Sequence, residues 1–526
     1  MDVIGGKIVD LQQKQIYNGE LHLENGIIIK IVKSEINYDH YILPGFIDAH
    51  IHIEISMLVP YEFAIIAMRH GTVATVSYPH EIANVCGMEG IEYMLTNAKN
   101  SGLQFFFGAP SCVPATQFET SGAIIDHRDI EKLMVRNDIW YLSEMMNYPG
   151  VLYNDEEVLK KIEIARNYKK PVDGHAPGLK GDDAVEYIKK GCSTDHECVS
   201  LDEALWKLKH GMKILIREGS AAKNYHALES LISTHPNEVM FCSDDKHPDD
   251  LLLGHINDLV KISVLKHDLF DVLQIACVNP VLHYNLPVGL LQEGDSADFI
   301  MVKDLKNFEV KANYVKGINY INDSGTIHKT KTHSLINQFN IGFIEENEIP
   351  EIAPDPSTII IKAIDGSLIT EKTKADDCSS EEILKICVVN RYRKEKIHVG
   401  FITGFGPLKG AMASSVAHDS HNIVAIGRNT KDLTKAINSI IETKGGLCVV
   451  HGLETECLPL PVAGLMHILP AEQVGKAYEK LQKLAIYNGS TLTSPFMTLS
   501  FMALLVIPKI KMSDKGLFDA EKFTFM

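Results

Sequence analysis

The sequence predicts an α/β fold: a (β/α)8 TIM-like barrel, a small β-sandwich domain built from both flanks, and a C-terminal α/β domain. Three observations carry this. Between Tyr41 and His247, eight short segments rich in β-branched, aromatic or small apolar residues recur. Most of the intervals between them are helix-like, and strands alternating with helices build parallel βα units. Each segment also ends in polar groups, at the place where a barrel carries its chemistry.

Residues 2 to 43 come first. VIGGKIVDLQQKQIYNGELHLENGIIIKIV has near-alternating apolar positions broken by Gly-Gly and two Asn-Gly pairs, which reads as short strands joined by turns. The eight barrel segments are YILPGFIDAHIHIE, TVATVSYPHE, LQFFFGAPS, IWYLSEMMN, PVDGHAP, CSTDHEC, KILIREGS and VMFCSDDKH. Helices are expected at EGIEYMLTNAKN, DEEVLKKIEIARNYKK, GDDAVEYIKK and LDEALWKLKH. Past the barrel, VGLLQEGDSADFIMVKDLKNFEVKANYVKG returns to strand-like alternation and is expected to complete the unit begun at the N-terminus. A polar, turn-rich stretch near 323 to 358 leads to a third region containing IHVGFITGFG, GAMASSVAHDSHNIVAIG, LPLPVAGLM and PFMTLSFMALLVIP. The expected domains are 1–43 with 285–335, 44–284, and 340–526.

The chain has 526 residues and a formal net charge of -17, from 51 basic against 68 acidic residues, with no basic tract. That balance argues against nucleic acid or an anionic membrane as partner. The N-terminus lacks a basic region followed by an apolar run, so no secretory signal is read. The longest apolar stretch, Phe501 to Pro508 with its flank from Phe496, is too short to cross a bilayer. Ten scattered cysteines without a CxxC pair read as reduced thiols of a cytoplasmic protein.

The first barrel segment carries Asp48, His50, His52 and Glu54 at alternate positions. On a strand of period two, all four point to one face, here the barrel interior. The fourth segment ends in Glu144, the fifth in His175, the sixth in His196 and the eighth in Asp244. Four histidines and two carboxylates suffice for two divalent ions, which in such sites lie about 3.5–4 Å apart. Glu144 can bridge them, with His50, His52 and Asp244 on one ion and His175 and His196 on the other. Nitrogen and oxygen donors without thiolate suit manganese, iron or zinc. Two motifs fail. His80-Glu81-Ile82-Ala83-Asn84 begins like HExxH but ends in Asn, and the HxE at His52 is followed by no PCxxC.

PGFIDAHIHIE with a downstream HEIANV resembles the bacterial adenine deaminases of the amidohydrolase superfamily, as do GHAPGLKG, STDHEC, REGSAAKN and FCSDDKHPDDLL. KGAMASSVAHDSHNI, LPLPVAGLM and PFMTLSFMALLVIP extend the likeness over nearly the whole chain. The resemblance implies adenine as substrate, hypoxanthine and ammonia as products, a role in purine salvage and adenine catabolism, and a binuclear iron or manganese centre. It carries His50, His52, Glu144, His175, His196 and Asp244 over as ligands. The chain departs from the family in HIEISM for HIESSM, at Ile55, and in Tyr78 for the Asp of DPHEIAN. Both departures bear on pocket shape and purine preference.

Deamination needs a hydroxide to attack C6, a proton for the ring nitrogen and one for the leaving amine. Asp244 is the expected ligand and proton shuttle. Glu197 and Glu218 are the candidate acids for the ring nitrogen. Arg217 and Ser220 are candidate purine contacts, and Arg217 equally suits a salt bridge. His418 and His421 of SVAHDSHN are candidates to reach over the barrel mouth towards substrate or an extra ion. A homo-oligomer, a dimer, is expected. Competing readings are a cyclic-amide or N-acyl hydrolase on the same scaffold, a deaminase of a modified 6-aminopurine, and a catalytically silent barrel. Many cyclic-amide relatives use a carboxylated lysine where strand four here offers Glu144, and all six ligands are present.

Overall fold

Alternation at both flanks produces one sheet. In the computed structural model, which describes residues 2–99, 101–322, 325–326 and 334–526, strands β1 (Asp2–Asp10), β2 (Gln15–Glu24), β3 (Ile27–Lys33) and β4 (Tyr41–Pro44) come from the N-terminus. Residues 323–324 and 327–333, the start of the expected turn-rich stretch, lie outside the described residues. Strands β13 (Phe299–Val302), β14 (Val310–Val315) and β15 (Ile318–Asn319) return from beyond the barrel. They join in the order β15-β14-β13-β4-β1-β2-β3, so the two flanks make one seven-stranded unit. Ile8, Leu21, Leu23, Ile28, Ile42 and Phe299 form its core. The β2–β3 hairpin turns on Asn25-Gly26 at φ 51° and 79°, the positive values that a two-residue turn matching strand twist demands.

The barrel strands are β5 (Phe46–Ile51), β6 (Thr72–Ser77), β7 (Gln104–Ala109), β8 (Ile139–Met145), β9 (Val172–Gly174), β10 (Thr194–Asp195), β11 (Lys213–Arg217) and β12 (Val239–Cys242). Pairing is parallel from β5 through β9 and from β10 through β12. Two bridges close the ring. Val172 pairs with Cys192 between β9 and β10, and Ile51 pairs with Asp244 between β12 and β5. Helices cover the outside and side chains fill the inside, so β5, β6 and β12 are buried along their whole length. The expected helices form at His80–Ala98, Glu156–Asn167, Gly181–Lys190 and Leu201–Lys209. Asp155 and Ser200 cap the second and fourth by accepting the amides of Val158 and Glu203.

The third region is built on an eight-stranded sheet spanning Ile359 to Pro459, with helix Thr430–Glu442 packed on it through Leu433, Ala436, Ile437 and Ile440. It sits on the carboxyl end of the barrel. Ile51, the last residue of β5, and Ile53, Ile55 and Met57, which follow it, share one apolar cluster with Met412, Val416, Phe496 and Phe501. The backbone joins too: His467 donates to the Met57 carbonyl at 2.8 Å. Ile55, a departure from the expected motif, is fully buried in that shared core. Its apolar side chain suits a domain contact.

Candidate metal centre

Five strand ends bring six side chains together. His50 is on β5, His52 just past it, Glu144 on β8, His175 just past β9, His196 just past β10 and Asp244 just past β12. All six are buried. His50 Nε2 and His52 Nε2 each lie 3.4 Å from Asp244 Oδ1. Glu144 stands between the two groups. Its Oε1 is 3.5 Å from His52 Nε2, and its Oε2 is 3.0 Å from His175 Nδ1 and 3.1 Å from His196 Nε2. Burial alone would raise the Glu144 carboxyl, but His175, His196 and His52 hold it well below the usual carboxylate range. Asp244 adopts φ 53°, an uncommon conformation for a non-glycine residue. It is fixed there because its amide donates to the His50 carbonyl and its carbonyl accepts from the His52 amide.

A second layer holds these groups. Arg217, at the end of β11, donates to Asp244 Oδ2 at 2.6 Å and grips Glu197 through both carboxylate oxygens. Arg217 thus forms the salt bridge considered beside a purine contact: Nη1 and Nη2 hold two buried carboxylates, while its buried Nε has no hydrogen-bond partner. Glu197 lies 3.5 Å from His196 Nε2. Burial opposes its charge, but Arg217, His175 and His196 keep it below its ordinary range. Glu218 does not join the cluster. It is partly exposed and faces Lys223 at 3.7 Å. Ser220 accepts from the His247 amide at 2.8 Å and donates its own amide to Asp245, so it shapes the loop after β12.

The third region contributes directly. His421 Nε2 makes a short contact with Glu81 Oε2, and His418 Nε2 lies 3.6 Å from Glu81 Oε1 and 3.5 Å from Asp245 Oδ1. His418 Nδ1 is held by the Ser500 hydroxyl at 2.6 Å. Burial works against charge on His418, yet Asp245 and Glu81 keep it up at about 9. Glu81 in turn faces His52 Nδ1 at 3.1 Å. A chain of contacts therefore runs from the C-terminal region through Glu81 to a candidate ligand. Sequence reasoning tested His80-Glu81 only as a failed HExxH and passed over Glu81; its position just past the end of β6 was the available signal.

The period-two row holds only in part. Asp48 accepts from the Ser243 hydroxyl and amide and lies 2.7 Å from His255 Nε2, so it anchors β5 to β12. Glu54 leaves the row because β5 ends at Ile51 and Ile53–Ser56 forms a 3-10 turn. There it accepts from the Ile82 amide, and burial and Glu81 push its carboxyl up to about 7. Tyr78 is not peripheral. Its hydroxyl lies 2.8 Å from His52 Nε2 and makes a short bond to Glu144 Oε1.

The donor set fits divalent ions. His50–His52–Glu144, His50–His196–Asp244 and Glu144–His175–His196 each bring ligand atoms within 4.8 Å of one another. His50 Nε2, though buried, has no hydrogen-bond partner, and such groups are rare unless a ligand satisfies them. Glu144 Oε1 faces His52, while Oε2 faces His175 and His196 with His50 Nε2 farther off at 3.9 Å, so the carboxylate lies where it could bridge two ions.

Nearly the whole chain is similar to known proteins. Residues 41–319 match the amidohydrolase family and residues 359–524 match the adenine deaminase C-terminal domain. An adenine deaminase of Sulfurovum sp. is 51% identical, covering 98% of each chain. Those of Borreliella afzelii and Methanosarcina barkeri are 48% and 46% identical, covering 99% and 100% of this chain and 99% of each relative.

Proposed function

The chain belongs to the adenine deaminases, a family of metal-dependent amidohydrolases, and hydrolyses adenine to hypoxanthine and ammonia; we propose that it does so at a binuclear centre held by His50, His52, Glu144, His175, His196 and Asp244. The observation that carries this reading is the division of Glu144 between the His52 side and the His175–His196 side. Two divalent ions, when bound there, bring the pKa of water towards neutrality and so supply a nucleophile.

The chain's own residues do the rest. Arg217 clamps Asp244 Oδ2, which leaves Oδ1 turned towards His50 and His52, the side where ion and substrate would meet. Asp244 Oδ1 receives the proton of the attacking water as C6 becomes tetrahedral and delivers it to the departing amine. Glu197, fixed beside His196, is the nearer of the two acids considered for the ring nitrogen, and Glu218 is set aside because it faces Lys223. His418 and Asp245 meet at 3.5 Å where the C-terminal region packs on the carboxyl end of the barrel. His418 and Ser220 remain candidate purine contacts in this reading.

The finer assignments are manganese or iron as the metal, a cytoplasmic dimer, and a place in purine salvage. The nitrogen and oxygen donors support the metals, and ten free thiols suit a reducing compartment. No helix among the described residues is long and apolar enough to cross a membrane. The test is metal analysis of the purified protein together with ammonia release from adenine, adenosine, 6-aminopurine analogues and dihydroorotate. Two ions per chain and turnover confined to adenine are expected. Turnover of the cyclic imide, or full activity without metal, would overturn the reading.

A further inference from the structure

The residue after β6 is a tyrosine, Tyr78, and its hydroxyl lies among the candidate ligands. Proline follows it, which disfavours the helical conformation at Tyr78. The ring is locked between imidazoles: its centroid is 5.5 Å from His50, 4.8 Å from His52 and 5.9 Å from His80. Tyr78 is 1% exposed. Its oxygen, His52 Nε2 and Glu144 Oε1 form a triangle with sides of 2.8 Å, 3.5 Å and one short contact.

The spacing has a coordination meaning. Donor atoms bound at right angles to one small divalent ion at about 2.1 Å stand about 3 Å apart. The pairs His50 Nε2–Asp244 Oδ1 and His52 Nε2–Asp244 Oδ1, at 3.4 Å, are edges of that kind, and the Tyr78–His52 contact is another. The hydroxyl touches Oε1 of Glu144, the oxygen on the His52 side. His175 and His196 face Oε2 at 3.0 and 3.1 Å, and His50 Nε2 lies 3.9 Å from that same oxygen.

We propose that Tyr78 is a seventh protein ligand, placing its phenol oxygen on the ion shared by His50, His52 and Asp244. This rests on the binuclear reading above and adds an asymmetry to it. One ion has four protein side chains besides the bridge, and the His175–His196 ion keeps the more open shell, where catalytic sites hold water and substrate. The tyrosine thereby directs substrate to the second ion.

The test uses iron, because a ferric ion bound to a tyrosine oxygen absorbs in the visible by charge transfer and enhances tyrosine ring vibrations in resonance Raman spectra. The protein is loaded with iron anaerobically, its metal content measured, and then oxidised by a one-electron oxidant. Wild type is expected to show the band and the ring modes, and Tyr78→Phe to lack both while losing roughly tenfold in affinity for one of its two ions. Two ions bound without a band in wild type, or identical spectra in the two proteins, overturn the proposal. A loss of metal affinity in Tyr78→Phe with no wild-type band assigns Tyr78 to hydrogen bonding of Glu144 alone and overturns it too. Failure of wild type to bind two ions defeats the binuclear reading itself, and metal analysis shows that separately. Should Tyr78→Phe not fold, the wild-type spectrum alone decides.

Discussion

Replacing Glu81 by Gln tests whether the C-terminal region acts on the metal centre through a single carboxylate. Glu81 faces His52 Nδ1 at 3.1 Å on one side and His421 and His418 on the other. A carboxylate behind a metal-bound imidazole fixes the ring and raises its basicity, and losing such a partner costs 10–100-fold in metal affinity, about 1.4–2.7 kcal/mol. The change to Gln keeps shape and removes charge, so the effect should fall on the ion held by His52 and spare the one held by His175 and His196. Competition against a chelator, followed by metal analysis, resolves two classes of site. We expect one class weakened at least tenfold and the other within a factor of two. A double-mutant cycle with His421→Ala then measures the inter-region link, since residues in one hydrogen-bonded network couple while independent sites add. Equal weakening of both ions, or affinities unchanged within twofold, would refute the relay.

Three further outcomes follow from the same geometry. Asp244→Asn, isosteric but unable to take a proton at Oδ1, should retain close to two ions and lower kcat by about 10²–10⁴-fold; near-normal ammonia release would remove its shuttle role. Arg217→Met strands Glu197 and Asp244 without their shared cation, so the metal-free protein should lose about 3–5 kcal/mol in denaturant unfolding, with part recovered on adding manganese; unchanged stability would show that the pair is not buried as described. Lys511 donates to the carbonyls of Leu368 and Phe501 with burial lowering its amine to about 7. The folded pKa lies below the unfolded one, so the unfolded chain binds more protons between about pH 7 and 10.5, and this residue makes stability rise with pH across that window. Stability measured at pH 7 and 9.5 should therefore show Lys511→Met ahead of wild type at the lower pH, with the gap closing at the higher; a constant gap would contradict a neutral buried amine.

The barrel was readable because its strands and helices have different periods and its chemistry sits at strand ends. Even β9 and β10, three and two residues long, were recoverable from the polar groups that follow them in DGHAPG and STDHEC. Reading failed where a local rule was carried past the element that justified it. The alternation of Asp48, His50, His52 and Glu54 assumes one strand, and the strand ends at Ile51. Asp48 kept its place in the row yet went to His255, whose position 207 residues later no periodicity encodes.

The supporting layer shows a deeper limit. A ligand announces itself by residue type and strand-end position, but the group that orients it is defined only by what it touches. Arg217 suits a purine or a carboxylate equally well until Nη1 is seen on Glu197 and Asp244 and Nη2 on Glu197 again. Glu81 was tested against a partner three residues away on its own helix, whereas its actual partners are His52 on β5's extension and His418 and His421 more than three hundred positions on. A buried carboxylate touched by three imidazoles from two regions cannot be satisfied unless those regions stay docked. Any opening of the C-terminal region that frees the cavity must therefore break contacts to Glu81, and through it disturb His52. On the proposed binuclear reading, a variant that loosens the docking should lose metal before it loses fold, which metal analysis beside denaturant unfolding would show.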